Sequence, residues 1–328
     1  MKPCIVPPAG RVSSSVPLQR MASMFVLAHL SDPHLGPLPA PQLRELLGKR
    51  ATGFINWRRQ RQRIHRGNVL ARIVADLTAQ APHHIAVTGD LVNISLPGEY
   101  PPALAWLASL GAPHDVTLVP GNHDIYVREA ARLPQLHWSD YMRGDDSAMT
   151  AFPFLRRRGP LALIGLSTAV PTAPFMATGR LGGGQIARLA ETLDRCAREG
   201  LFRVVMIHHP PISPPARRLK RLVDGPDFCT VLARHGAELV IHGHDHARSL
   251  IELKGPRGPI PVVGVPSASE APPGEHDPAG YNLYVVEGEA GGWRCEAISR
   301  GLSAGGDTVA EVGRTELVGR HGVALAAS

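Results

Sequence analysis

Five short hydrophobic segments of this 328-residue chain end in polar residues of the kind that bind metals or carry protons. Each segment is four to seven residues long, which is the length of a buried strand. The polar residues that follow them are Asp32-Pro33-His34, Gly89-Asp90, Gly121-Asn122-His123-Asp124, His208-His209 and His242-Gly243-His244-Asp245-His246. This repetition constrains the fold more than any other feature, because it predicts several strands that deliver polar side chains to one edge of a sheet.

Segments with helical periodicity lie between these strands. They predict helices over Asn68–Gln80, Glu99–Leu110, Gly184–Glu199 and Asp227–His235. Alternation of strand and helix predicts a mostly parallel sheet covered on both faces, in which ligands bind beyond the carboxyl ends of the strands. After residue 250 strands follow one another without helices, at 261–265, 281–286 and 293–298, and predict a second, antiparallel-edged sheet packed on the first. The expected fold class is therefore α/β, with two packed mixed β-sheets flanked by helices.

The ends of the chain differ in composition from its centre. Residues 1–23 are rich in Pro, Ser and Arg, and we predict a disordered lead, with Met21 or Met24 as alternative starts. Residues 24–300 are predicted as one domain, and the Gly- and Ala-rich residues 301–328 as a flexible tail. The four cysteines form no C-x-x-C pair and no secretory signal is recognisable, so we predict a cytoplasmic protein.

The polar clusters together contain the donors of a metal site. Any one of them is ordinary turn chemistry, but turns do not require imidazole. Oxygen and nitrogen donors without thiolate favour Mn, Fe, Zn or Co. Seven candidate ligands exceed the needs of one ion that must also admit water and substrate, so we predict two divalent ions sharing a carboxylate, an arrangement suited to phosphoester cleavage. The strand ends supply the seven as two Asp, one Asn and four His.

The order of these motifs, D-x-H, G-D, G-N-H-D, a strand-terminal His and G-H-x-H, resembles the calcineurin-like metallophosphoesterase superfamily. The motifs extend from Asp32 to His246, about two thirds of the chain. The resemblance implies a first metal held by Asp32, His34 and His246, a second held by Asn122, His208 and His244, and Asp90 as the bridge. It also implies that His123 is a general acid or hydrogen-bond donor to the phosphate, oriented by Asp124, and that the nucleophile is a metal-bound hydroxide.

The remaining histidines need separate treatment, because the chain contains 16 of them. Neighbouring residues at a strand end point to opposite sides, and the family pattern favours His208 over His209 as the ligand. His242 is expected on the other face of its strand, and Asp245 is expected to support the loop. We predict surface or packing roles for the others, among them His29, His83, His84, His114, His137, His235, His276 and His321.

A basic insert follows the first strand. Residues 44–72 contain nine Arg and Lys residues against one acid, more than the net charge of +7 of the whole chain. Phe54, Ile55 and Trp57 interrupt this run. Four interpretations remain open: a solvated helix or loop, a cap over the metals that attracts anionic substrates, a peripheral contact with anionic lipid, and stacking of Trp57 on a nucleotide base.

The leading functional hypothesis is hydrolysis of a small anionic phosphodiester or related phosphate ester. The compact chain looks like the bacterial cyclic-nucleotide phosphodiesterase branch, although the basic insert departs from that pattern. One alternative is a lipid-linked nucleotide pyrophosphatase of the UDP-diacylglucosamine type. Another is a non-catalytic scaffold, whose relatives typically lose ligands, whereas every ligand position is filled here. A nuclease or capping-type hydrolase ranks third, so nucleic acid is not the expected partner, and the sequence does not define an oligomeric state.

Overall fold

Two six-stranded sheets pack against each other, with helices on their outer faces. The computed structural model describes residues 24–146, 151–272, 276–303 and 308–319. The predicted fold class, α/β with two packed mixed sheets, is confirmed. The predicted disordered lead, residues 1–23, lies outside the described residues.

The described residues form twelve strands and seven α-helices. The strands are β1 Phe25–Leu30, β2 His84–Val87, β3 Val116–Leu118, β4 Phe154–Arg158, β5 Leu161–Gly165, β6 Phe202–Met206, β7 Leu239–His242, β8 Ser249–Lys254, β9 Pro259–Gly264, β10 Gly280–Glu287, β11 Arg294–Leu302 and β12 Val309–Val318. The helices are α1 Lys49–Asn56, α2 Gln62–Ile64, α3 Gly67–Ala79, α4 Tyr100–Leu110, α5 Leu133–Trp138, α6 Gly183–Arg198 and α7 Gly225–His235. The four predicted helices correspond to α3, α4, α6 and α7, each within two residues at either end.

The strand order corrects one expectation about the sheets. The first sheet has the order β12-β11-β10-β1-β2-β3 and the second β4-β5-β6-β7-β9-β8. The five strands that carry the polar clusters are thus divided between the sheets, and the late strands complete both sheets instead of forming one of their own. β1, β2 and β3 are parallel, as are β5, β6, β7 and β9. Antiparallel strands form three of the four sheet edges, at β12, β4 and β8, and the parallel β3 forms the fourth.

The core has two parts because strand residues alternate between the faces of a sheet. In β6, Val204 and Met206 lie in the core that contains residues of both sheets. Val205 and Ile207 lie in a second core with α6 and α7. Both faces of the strand are therefore buried, which explains its continuous run of apolar residues.

Four strands were missed by the sequence patterns, among them β8, which pairs with β9. β4 has the sequence FLRRR and looks exposed, but Arg156 is buried and its guanidinium donates to the carbonyls of Pro113, Val116 and Asp140 at 2.6–2.7 Å. β5 follows β4 directly and pairs with it. The predicted flexible tail is wrong for 309–318, which form β12 on β11, while residues 304–307 and 320–328 lie outside the described residues.

The buried His84 at the start of β2 makes the fold sensitive to acid. Burial, and next the nearby Arg158 and Arg156, lower the pKa of His84 to about 2, while its Nε2 is 2.7 Å from the Thr117 hydroxyl. In the unfolded chain its pKa is about 6.5. Below that pH the unfolded state binds a proton that the folded state excludes, so the free energy of unfolding decreases as the pH falls.

We expect this one group to cost about 2 kcal/mol of stability between pH 7 and pH 5. In His84→Gln the difference between urea unfolding free energies at the two pH values should shrink by about that amount. His114→Gln, at an exposed histidine, is the matched control. If the unfolding free energies at pH 7 and pH 5 differ by the same amount in His84→Gln as in the wild type, His84 is protonated in the folded protein.

Candidate active site

The polar clusters from both sheets meet at one edge of the molecule. The backbone N–H of Asp32 donates to the Gly89 carbonyl at 3.0 Å, and that of His34 donates to the Asp90 carbonyl at 3.1 Å. These bonds hold the loops after β1 and β2 side by side, and a short bridge between Ser31 and Ser267 joins the first sheet to the loop after β9 of the second. The carboxyl ends of the strands therefore face a common space, as the sequence predicted.

The residues predicted for a second metal lie on one side of Asp90. His208 Nε2 is 3.3 Å from Asp90 Oδ2 and 3.2 Å from Asn122 Oδ1. The ligand atom of His244 lies within 4.8 Å of those of Asp90 and His208. Its Nε2 is 2.9 Å from the Lys220 carbonyl, which leaves Nδ1 for the cluster.

The residues predicted for the first metal lie on the other side. His246 Nε2 is 3.3 Å from both Asp32 Oδ1 and His34 Nε2. His34 Nε2 is 4.0 Å from Asp32 Oδ1 and from Asp90 Oδ2. Ligands of one ion with bonds of about 2.0–2.2 Å are separated by roughly 3–4 Å, so both groups have the spacing of a coordination shell.

Each ring is held by its outer nitrogen. His208 Nδ1 is 2.6 Å from the Thr88 carbonyl and His34 Nδ1 is 3.3 Å from the Val92 carbonyl. His246 Nδ1 is 3.2 Å from Glu270 Oε2. Such outer partners fix the tautomer and orientation of metal-binding imidazoles.

The backbone of the site is strained at the predicted ligands. Five of the seven have positive φ values between 40° and 69°, namely Asp32, His34, Asp90, His244 and His246. Left-handed conformations of non-glycine residues cost energy and concentrate at functional sites. Glycines make room for the carboxylates, because a Cβ on Gly121 would collide with Asp90 Oδ1 and one on Gly243 with Asp32 Oδ2. The local backbone conformation thus places the donor atoms in the site.

The donor set fits divalent metal ions. Asp32 Oδ1 is fully buried and accepts no hydrogen bond from the residues that the structure describes, although His246 Nε2 is close to it. Burial, and next Arg61, hold the pKa of His34 well below its usual value, so its ring is neutral and able to coordinate. Burial acts to lower the pKa of His208, but the Asp90 carboxylate outweighs it and raises the pKa to about 10. A cation placed between the two would substitute for that proton.

Asp124 has a different place from the one expected. It does not orient His123; its carboxylate accepts hydrogen bonds from the backbone N–H groups of Gly121, Asp90, Leu91 and Val92 at 2.8–3.2 Å. The negative charge therefore organises the loop that carries Asp90. Burial, and next the Asp90 carboxylate, raise the pKa of Asp124 to about 7.

His123 is oriented by other groups. Its Nδ1 makes a short hydrogen bond to the Asn93 carbonyl, and Arg61 Nη1 is 3.3 Å from the same nitrogen. Burial, and next the Arg61 guanidinium, lower the pKa of His123 to about 3. The ring lies edge-on to His34 with centroids 4.9 Å apart, so it borders the cluster.

The predictions for His209, His242 and Asp245 agree with the geometry. His209 uses both ring nitrogens, at 2.7 Å from the Thr168 hydroxyl and 3.1 Å from the Ala177 carbonyl, which leaves none for a metal. His242 Nδ1 is 2.9 Å from the Gly243 carbonyl, and the ring belongs to none of the potential metal-binding groups among the described residues. Asp245 pairs with Arg217, in keeping with a supporting role.

The basic insert folds over the site. Lys49 and Arg50 at the start of α1 are buried, and the Arg50 guanidinium donates to the carbonyls of Ile94 at 3.1 Å and Ser95 at 2.5 Å. These bonds attach α1 to the loop after β2. The solvated-face interpretation is therefore wrong for these two residues, and the segment forms a wall of the site.

A pocket of about 410 Å³ opens between the insert and the cluster. Its lining combines the catalytic candidate His123 and Asn122 with Lys49, Arg61 and Lys220 and with the aromatic side chains of Trp57, Tyr126 and Phe175. Arg61 is half-buried, and no carboxylate of the described residues forms an ion pair with it. The pocket thus offers positive charge and aromatic surface beside the predicted metals.

Sequence reasoning missed Glu270, Asn93, Arg61 and His65. Glu270 had a usable signal, since Ser267-Ala268-Ser269-Glu270 follows β9 just as the other polar clusters follow their strands. β9 is parallel to β7, which brings its carboxyl end to the same edge. Arg61 and His65 reach the site only because the insert folds back, and no local pattern predicts that.

Residues 25–248 match the family of calcineurin-like phosphoesterases. The chain belongs to this family. The match covers the five polar clusters and about two thirds of the chain, so the predicted superfamily is confirmed. The phosphoesterase is similar to a probable cyclic nucleotide phosphodiesterase of Synechococcus, with 27% identity over 229 residues, which cover 69% of this chain and 80% of the relative.

Solved structures share the fold of this phosphoesterase. A dimetal phosphatase from Danio rerio aligns with a TM-score of 0.56 and 14% identity, over 84% of this chain and 96% of that one. A purple acid phosphatase from yellow lupin seeds aligns with a TM-score of 0.54 and 11% identity over 88% of this chain, which spans about half (53%) of the lupin enzyme.

None of the helices in the described part of the phosphoesterase has the length and apolar character needed to cross a membrane.

Proposed function

We propose that this calcineurin-like phosphoesterase is a dinuclear-metal hydrolase of phosphodiesters. The observation that carries the proposal is the arrangement of the other six predicted ligands on both sides of Asp90. Adjacent donor atoms are 3.2–4.0 Å apart, and that of His244 is within 4.8 Å of those of Asp90 and His208. A non-catalytic scaffold would not require buried ligand residues in strained backbone conformations. When bound, two divalent ions such as Mn, Fe, Zn or Co supply an activated water and neutralise charge on the phosphate.

The residues of the chain have distinct tasks in this proposal. Asp32, His34 and His246 hold the first ion, Asn122, His208 and His244 the second, and Asp90 both. His123 stands beside them with Nδ1 donating to the Asn93 carbonyl, so Nε2 is the atom available for the phosphate or its leaving group. Nε2 can donate only once the ring has taken up a second proton, which the negative charge of a nearby phosphate would favour. Arg61 places a guanidinium at the same point, where it could receive a phosphate oxygen, and it pairs with no carboxylate in the described part of the chain.

The pocket lining supports a nucleotide-sized substrate. Trp57 and Phe54 stack with ring centroids 6.5 Å apart, and Trp57 lines the pocket. Base stacking on an aromatic ring does not require a particular base. Together with the Synechococcus relative, whose name refers to cyclic nucleotides, this makes a cyclic nucleotide the first substrate to test.

A substrate panel with Mn tests the proposal. We expect turnover of bis(p-nitrophenyl) phosphate and, among natural classes, the highest kcat/KM for cyclic nucleotides over glycerophosphodiesters, nucleoside-diphosphate lipids and short oligonucleotides. Chelator-treated protein without added metal is the control and should be inactive. Absence of turnover of every phosphoester by metal-loaded protein would contradict the proposal.

A lipid-linked phosphoester is the second candidate, because apolar side chains are exposed around the insert and the pocket. Leu43, Leu47 and Phe175 are 89%, 74% and 83% exposed, and Phe175 lines the pocket. Exposed arginines lie on the same insert, at positions 58, 59 and 63. Apolar groups amid positive charge suit an anionic lipid surface, which we propose as the occupant of this face.

Sedimentation with vesicles of phosphatidylcholine and phosphatidylglycerol tests this contact. Each arginine near an anionic surface contributes about 1 kcal/mol, so replacing Arg58, Arg59 and Arg63 by Ser should weaken binding roughly 100-fold. The matched control replaces Arg195, Arg198 and Arg234, which are exposed on α6 and α7. Equal binding by both triple variants would exclude the insert as a lipid-binding surface.

A further inference from the structure

His65, a histidine outside the motifs of the family, lies against the predicted ligands of the first metal. It lies between α2 and α3, inside the insert. Its ring centroid is 4.6 Å from that of His34 and 5.6 Å from that of His246. The three imidazoles present ring nitrogens within 4.8 Å of one another. His65 is thus the only residue of the insert that joins one of the potential metal-binding groups among the described residues.

The orientation of the ring is determined by the loop after β9. His65 Nδ1 is 2.8 Å from the Ser269 hydroxyl. The neighbouring backbone is bonded to the same loop, since Arg66 N–H donates to the Ser269 carbonyl at 3.0 Å and Ala271 N–H to the Ile64 carbonyl at 2.9 Å. With Nδ1 committed to Ser269, Nε2 is the nitrogen left for the cluster.

This arrangement repeats the one found at the predicted ligands. His34 and His208 also direct Nδ1 outward to an oxygen and Nε2 inward. The loop that orients His65 also supplies Glu270, whose carboxylate is 3.2 Å from His246 Nδ1. One loop therefore orients two adjacent imidazoles, as expected for metal ligands with outer partners.

We propose that His65 Nε2 is an additional ligand of the first metal ion, an inference that rests on the two-metal function proposed above. The first site then has three imidazoles and two carboxylates, from Asp32 and Asp90, whereas the second has two imidazoles, one carboxylate and one amide. The first site is the richer in nitrogen and favours Zn, Co or Fe over Mn more strongly than the second does. A bond from His65 to the metal would also attach the insert to the metal site.

Titration of the metal-free protein with Co²⁺, followed by calorimetry and visible absorption, tests the assignment. We expect two ions per wild-type chain. In His65→Ala we expect the second site to keep its affinity for Co²⁺ and the first site to lose at least about 10-fold in affinity. The visible absorption band of the first site should also change. His65→Gln, which retains a polar group for Ser269 but no imidazole, should behave like His65→Ala. His235→Ala, at a half-buried histidine bound to Asp194, is the control and should bind both ions as the wild type does.

Two results would overturn the proposal, and they differ from a failure of the proposed function. If wild-type protein binds two ions and His65→Ala binds both with unchanged affinities, His65 is not a ligand. If those affinities are unchanged while KM for bis(p-nitrophenyl) phosphate rises, His65 contacts substrate instead. If wild-type protein binds fewer than two ions, the two-metal function itself fails, and the role of His65 fails with it.

Discussion

Asp90→Asn should abolish turnover of bis(p-nitrophenyl) phosphate, with a loss of at least about 10³-fold in kcat/KM. The substitution preserves the size of the side chain and an oxygen for the His123 backbone N–H, which is 2.6 Å from Asp90 Oδ1. It removes the charge that both predicted ions share. The expected defect is therefore in metal binding and in the chemistry, with the fold intact.

A second measurement separates these effects. Ions that bind only the folded state raise the melting temperature, so added Mn should stabilise the wild-type protein and stabilise Asp90→Asn less. Asp194→Asn, at a carboxylate on α6 that pairs with His235, is the matched control and should resemble the wild type in both measurements. The role of Asp90 would be contradicted if Asp90→Asn had full activity and if Mn raised its melting temperature as much as that of the wild type.

His123→Gln should lower kcat by about 10²–10⁴-fold on substrates with poor leaving groups while leaving the metal content unchanged. The reason is that the side chain borders the cluster without belonging to the predicted ligands, and its Nδ1 is held by Asn93. A general acid matters less when the leaving group is already a weak base. The loss should therefore be smaller for p-nitrophenyl than for phenyl or alkyl diesters.

Comparison of leaving groups makes this prediction specific. An equal loss of kcat on p-nitrophenyl and alkyl diesters would show that His123 stabilises the phosphate electrostatically and does not protonate the leaving group. Loss of metal from His123→Gln would instead assign a ligand role, contrary to the geometry. The Asn93 carbonyl and Arg61 orient His123, a role that the family resemblance had assigned to Asp124.

The sequence predicted that the candidate donors meet at one edge because each follows a buried strand. The positions of Asp32, Asp90 and His208 follow from local patterns, and parallel strands bring such positions to one edge. Helices α3, α4, α6 and α7 were predicted for a similar reason, since their periodicity is a property of consecutive residues. The family resemblance then assigned a role to each donor.

Features determined by distant contacts were not predictable in the same way. The pairing of β10 with β1 and of β9 with β7 divides the late strands between the sheets, and nothing local to those strands specifies it. β4 was missed because its buried arginine is satisfied by carbonyls far away in the sequence. The place of Arg61 and His65 depends on bonds such as that from Arg50 to Ile94, which hold the insert over the site.

The central claim is tested most directly by measuring the metal stoichiometry and the activity of the same protein. Protein stripped with chelator and reconstituted with Mn should contain two equivalents per chain by mass spectrometry of the metal. Its turnover of bis(p-nitrophenyl) phosphate should rise with the second equivalent and be absent from Asp90→Asn. Full turnover by protein that contains less than one equivalent, or by Asp90→Asn, would contradict a two-metal phosphoesterase.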